Sequence, residues 1–140
     1  VSGQRAVRTY TVAETLHAIA REVARPRPGG IGLAAPTGVV RLHDCEGQPP
    51  LVRLGHPAIS SILRWIQVLD DVTTVTLTGF HGSNVYAEAT GRIPRGPVIA
   101  VGGWVFDLDL DTPLADGVDR ILTIDELRHL AGAPITPPTA

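Results

Sequence analysis

Val72–Leu110 reads VTTVTLTGFHGSNVYAEATGRIPRGPVIAVGGWVFDLDL, and the fold turns on this stretch. Its first part, Val72–Phe80, is rich in β-branched residues. Val75 and Leu77 alternate there with Thr74, Thr76 and Thr78, the period-two pattern of a strand with one buried face. His81-Gly82-Ser83 makes a short turn into Asn84–Arg92, where Val85, Ala87 and Ala89 alternate with Tyr86, Glu88 and Thr90. Pro94–Pro97 forms the next turn. Pro97–Leu110 reads as a longer strand with a bulge at Gly102-Gly103. Three strands joined by two short turns make an antiparallel meander.

Helices surround this meander in the sequence. A helix is predicted from about Pro57 to Asp70, with Ile59, Ile62, Leu63, Ile66 and Leu69 on its buried face. Trp65 flanks that face, and Ser60, Ser61, Arg64 and Gln67 lie on the polar side. Thr11-Val12-Ala13-Glu14 has capping-box spacing and opens a helix whose apolar stripe is Val12, Leu16, Ile19 and Val23. Pro26 and Pro28 end it. Thr123-Ile124-Asp125-Glu126 is a second capping box, leading through Leu127 and Leu130 to a stop at Gly132. Gly38–His43 and Leu51–Leu54 read as two shorter strands joined by Asp44–Pro50.

Strands and helices do not alternate regularly, which argues against a doubly wound parallel sheet. The expected class is α+β: a mostly antiparallel sheet, two short strands plus the three-strand meander, with about three helices packed on it. Residues 1–133 are expected to form a single domain with a hinge at 25–30, and 134–140 a frayed, proline-rich tail.

Composition narrows the function classes. The chain has 140 residues, 44% hydrophobic and 19% charged, with mean hydropathy +0.15, which suits a packed core rather than disorder. A single Cys45 excludes an internal disulfide and every multi-cysteine zinc motif. No apolar run approaches about 18 residues and no basic-then-apolar leader opens the chain, so neither a membrane partner nor a signal peptide is expected. The net charge of −2 argues against a nucleic-acid partner. Charge is uneven along the chain. Residues 1–30 hold five Arg against Glu14 and Glu22, whereas residues 101–140 hold seven acids against Arg120 and Arg128. All 12 basic residues are Arg, Met is absent, and Asn84 is the sole Asn. That bias points to a GC-rich bacterial genome, and the protein is expected in the cytoplasm. It also removes lysine Schiff-base chemistry.

Chemistry-bearing residues are few. His43, Cys45 and His56 form a candidate metal set, although they offer neither a CxxC nor an HxxxH spacing. His56 precedes the helix at Pro57, where open backbone N–H groups favour an anion or a carbonyl oxygen, but a plain capping role is the favoured reading. The turn residues His81, Ser83 and Asn84, together with Arg64, are candidate ligand-binding groups. Turn geometry alone accounts for the Gly and the Asn. Asp107, Asp109 and Asp111 mimic the start of a calcium loop, but Thr112 and Val118 stand where Gly and Glu are required. Ala13, His17, Ala20 and Ala24 share a small-residue stripe open to self-association or to packing on the sheet. No motif implies a cofactor. The expected function is a small non-catalytic module that docks a protein partner or self-associates, with a small-molecule ligand also admissible. The alternative is a small enzyme using His56, His81, Asp44 and Glu88 as general acid–base groups in a pocket between the sheet and the Pro57–Asp70 helix.

Overall fold

Both capping boxes close in the structure, a computed structural model that describes residues 9–27, 32–41, 48–80, 84–106, 108, 110 and 114–132. At the start of α1 (Val12–Ala24), the Glu14 N–H donates to Thr11 Oγ1 at 3.1 Å. The Thr11 N–H donates to Glu14 Oε1 at 3.0 Å. Thr123 and Glu126 repeat the exchange at α3 (Ile124–Leu130), at 3.0 and 3.1 Å. Each box satisfies two helix-end donors, and loss of such a cap typically costs about 1 kcal/mol.

The buried side of α1 differs from the apolar stripe. Thr15, Ala18, Ile19 and Glu22 are buried, while Val12 and Leu16 are 38% and 39% exposed. Glu22 is held inward by two guanidinium groups, Arg25 Nη2 at 3.0 Å and Arg27 Nη2 at 3.3 Å. Arg27 Nη2 also donates to the Glu22 carbonyl oxygen at 2.7 Å. A buried carboxylate requires such partners, and they fix how the helix is rolled. Arg25 and Arg27, at the start of the expected hinge, are thereby tied back to α1. Residues 28–30 and the 134–140 tail lie outside the described residues.

α2 (Ile59–Val68) is two residues shorter at each end than predicted, starting after an extended Ala58 with no side-chain cap. Ile59, Ile62, Leu63, Trp65 and Ile66 are buried on it. Trp65 is at 0% exposure, inside the core rather than at its flank. Its indole N–H donates to the Ala34 carbonyl oxygen at 3.1 Å and so pins the segment after α1 to α2.

The sheet corrects the expected class in detail. The strands are β1 (Gly38–Val40), β2 (Leu51–Arg53), β3 (Thr74–Phe80), β4 (Asn84–Arg92), β5 (Val98–Val105) and β6 (Asp119–Thr123). They lie in the order β1-β2-β5-β4-β3-β6. The β3-β4-β5 meander is present and antiparallel. However, β2 runs parallel to β5, pairing Leu51 with Ala100 and Arg53 with Gly102, so the sheet is mixed. It also has six strands rather than five, because β6 pairs antiparallel with β3 directly before the α3 cap. The architecture is α+β, with three helices among the described residues.

The expected bulge at Gly102-Gly103 is absent. β4 and β5 pair without interruption from Val85 opposite Val105 to Arg92 opposite Val98. The two glycines serve close approach instead. A Cβ on Gly102 would stand 2.6 Å from Tyr86 Oη, and one on Gly103 2.6 Å from Pro57 Cδ. β5 also ends at Val105 rather than Leu110. Leu108 and Leu110 are half-buried against the core, and Asp107, Asp109 and Asp111 lie outside the described residues.

One core cluster joins all three helices to one face of the sheet. It includes Ala18 and Ile19 of α1, Ile62 and Trp65 of α2, Leu127 of α3, and the inward side chains of Val52, Leu77, Ala87, Val101 and Leu122. Leu51 and Ala100, which alternation places on the opposite face, are buried outside that cluster. Among the described residues no helix is long and apolar enough to cross a membrane.

Candidate docking surface

The face turned away from the helix-packed core follows from strand alternation and the pairing register. Directly opposed residues share a face. Thr78, Tyr86 and Trp104 therefore form one row across β3, β4 and β5, with Asp119 at its β6 end. The next row holds Ile121, Thr76, Glu88, Gly102 and Arg53. Phe80 and Asn84 oppose each other at the β3–β4 turn end. Thr76, Thr78, Tyr86, Glu88 and Trp104 are half-buried, and Arg53, Asn84 and Phe80 are exposed.

Aromatic rings gather at the turn end. The Phe80 and Trp104 ring centroids are 4.7 Å apart at an interplanar angle of 67°. Those of Tyr86 and Trp104 are 5.3 Å apart at 72°. Both pairs are edge-to-face, a geometry that contributes about 0.5–1.5 kcal/mol per pair beyond area burial. Phe106, immediately past the end of β5, is 73% exposed. Tyr86 leans over Gly102, whose missing side chain makes room for the ring. Burial first, and then the negative charge of Glu88, push the Tyr86 phenol above its ordinary pKa; Arg53 and Arg41 oppose that shift.

Arg41 supplies the polar side of the surface. It follows β1 with a left-handed backbone, φ 59°, a conformation that costs a non-glycine residue on the order of 1 kcal/mol or more. Its guanidinium reaches Glu88 Oε2 on β4 at 3.4 Å and donates from Nη1 to Gln48 Oε1 at 3.0 Å. Since β2 and β5 lie between β1 and β4, the side chain crosses both strands. Its Nε is buried without a hydrogen-bond partner among the described residues.

The candidate residues read from the sequence fall in different places. Glu88 and Asn84 lie on the open face, and Asn84 starts β4 beside Phe80. His56 is exposed in the loop before α2. Its neighbour Pro57 packs on Gly103, whose register position is on the helix-bearing face, and the Gly55 carbonyl oxygen accepts from the Trp104 N–H at 2.9 Å, so this loop runs along the edge of β5. Arg64 is half-buried on α2, also on the helix side. His43, Asp44, Cys45, His81 and Ser83 lie outside the described residues. Among the described residues no group of three His, Cys, Asp or Glu side chains is placed to hold a metal ion.

Sequence reasoning missed Phe80, Trp104, Phe106, Arg41 and Arg53. Phe80 and Trp104 were within reach, because a meander with known turns places them on one face with Tyr86 by parity alone. Arg41 and Arg53 were not, since their place depends on the long-range pairing of β2 with β5. Comparison with models of known families, with curated proteins and with solved structures yields no match.

Proposed function

We propose that this chain is a non-catalytic interaction module that docks a protein partner on the aromatic end of its open sheet face. One observation carries the reading: Phe80, Tyr86, Trp104 and Phe106 are four of only six aromatic residues, and they gather at that end of the sheet. Trp65 alone of the chain's aromatics is fully buried in the core. Trp, Tyr and Arg dominate the energetics of protein interfaces, and an aromatic centre rimmed by Thr76, Thr78, Glu88 and Arg53 has that composition. The net charge of −2 favours a protein over a nucleic acid as partner. The arginine-only basic set and the lone Cys45 support a bacterial, cytoplasmic setting.

Cross-linking in the source cell tests the proposal. Phe80→Ser combined with Phe106→Ser, both at exposed positions, is expected to abolish the cross-linked species. Arg64→Ala, on α2 and so on the helix side, is expected to leave it intact. If the double variant cross-links like the wild type, or if Arg64→Ala alone removes the species, the aromatic face is not the docking site.

A further inference from the structure

We infer that Arg41 and Arg53 form an anion subsite on the open sheet face, and that the partner docked there presents a side-chain carboxylate beside its apolar anchor. This rests on the docking face proposed above and names the chemistry of what that face takes. The register sets the positions. Arg53, Gly102 and Glu88 are directly opposed across β2, β5 and β4, so Arg53 and Glu88 flank the bare Gly102 on one face. Tyr86 fills the middle, with its Oη 2.6 Å from the position of an added Gly102 Cβ. Arg41 arrives from the end of β1 and reaches Glu88 Oε2 at 3.4 Å. Arg41, Arg53 and Glu88 are also the three charges that act on the Tyr86 phenol, so all of them stand around its hydroxyl.

Positive charge is left over at this point. Among these groups two guanidiniums face one carboxylate, and Arg41 already engages it. Arg53 is exposed and makes no ion pair among the described residues. The Arg41 side chain is 21% exposed, while its Nε is buried with no acceptor among the described residues. A half-buried guanidinium with a single long contact to a carboxylate is under-compensated. Its left-handed backbone is a further local cost of the kind that gathers at binding sites. Arginine holds a carboxylate through paired, charge-assisted hydrogen bonds, so an incoming acid relieves the imbalance. An excess of one charge suits one carboxylate. The acids Glu88 and Asp119 on the same face oppose the long run of phosphates of a nucleic acid. The aromatic rings fix the rest of the partner. Trp104 lies two residues beyond Gly102 on β5, about 7 Å along the strand. An extended segment lying along β5 repeats its side chains at that same spacing. An apolar side chain set on Phe80 and Trp104 therefore carries an acid two positions away over Arg41 and Arg53.

A nuclear magnetic resonance titration of the full chain reads the outcome through the Arg41 and Arg53 Nε–H signals and the Trp104 indole N–H. The probe is the end-blocked peptide Asp-Ser-Phe-Ser-Asp, which offers an acid two positions from the ring in either chain direction. Its control is Asn-Ser-Phe-Ser-Asn. The acidic peptide is expected to shift all three signals and to bind about tenfold tighter than the control, an advantage that shrinks as salt is raised. Arg53→Gln, at an exposed position, is expected to remove most of that advantage, and Arg41→Gln to do the same. Arg64→Gln takes one positive charge from the helix side and is expected to leave the advantage intact. Failure of both peptides to bind, or an advantage that survives both Arg53→Gln and Arg41→Gln, overturns the inference. Equal binding of the two peptides with the Trp104 signal moving overturns the anion subsite and leaves the aromatic docking face standing. Acid-dependent shifts of both arginines that Phe80→Ser with Phe106→Ser leaves unchanged uphold the subsite and overturn the aromatic face.

Discussion

At Gly102 and Gly103 two adjacent residues point to opposite faces of β5, and each is kept bare for a different neighbour. Gly102 makes room for the end of Tyr86, a side chain that can swing away, with the Ala87 carbonyl oxygen 3.0 Å from the position of an added Cβ. Gly103 faces the rigid ring of Pro57, with the Gly55 carbonyl oxygen 3.2 Å from the position of an added Cβ. Gly103→Ala is therefore expected to cost more stability than Gly102→Ala, within the range of about 1–3 kcal/mol typical of overpacking. Urea unfolding midpoints give the comparison, and an equal cost would contradict this packing. Tyr86 offers a second readout. Its phenol is neutral below a raised pKa, so its contribution to stability is complete below the unfolded value and is lost as pH rises through the folded one. Glu88→Gln removes the negative neighbour and is expected to lower the Tyr86 midpoint in an ultraviolet titration without removing the larger effect of burial. A midpoint that stays put or rises would show that Glu88 does not act on the phenol. The sequence already placed Tyr86 and Glu88 on one side of their strand. It could not say that Gly102 would accept the ring, because a glycine pair reads equally as a bulge.

Among the elements, α3 shows how a short helix is fixed by its first turn. The Glu126 carboxyl is held below its usual range, first by the Thr123 backbone N–H and then by the Thr123 side chain. A depressed carboxyl stabilises the fold above its unfolded value, and that contribution disappears as pH falls through the folded value. Glu126→Gln keeps an acceptor in the box but no charge. The wild type is expected to be the more stable at neutral pH, with the gap in melting temperature closing as the solution is acidified through the carboxylate range. A gap constant with pH would mean that the charge contributes nothing. Both capping boxes were legible because they are local, with four residues and two reciprocal bonds. The roll of α1 was not. Periodicity counts apolar residues, whereas the buried face is centred near Glu22, whose burial depends on Arg25 and Arg27 beyond the helix end.

For the whole molecule, the meander and the α+β class were legible because each of their signals spans fewer than about ten residues. The parallel β2–β5 pair was not, since it joins Leu51 to Ala100 and nothing in a three-residue strand specifies a partner so distant. β6 escaped because its five residues run straight into a helix cap. The sheet order makes a graded expectation for amide hydrogen exchange. β4 and β5, flanked on both sides, should exchange slowest, and the edge strands β1 and β6 fastest. Uniform protection across the six strands would contradict that order.

The parallel pairing also bears on how the chain reaches its native state. β3, β4 and β5 can zip together through local turns, but β5 then presents a bare edge until β2 returns from far earlier in the sequence. That edge, VIAVGGWV, has no charge and is almost wholly buried in the finished molecule. While it waits it is a template for any other extended chain. β2 is thus a guard as well as a strand, and a chain that had lost it would be expected to aggregate through β5 before it lost its helices.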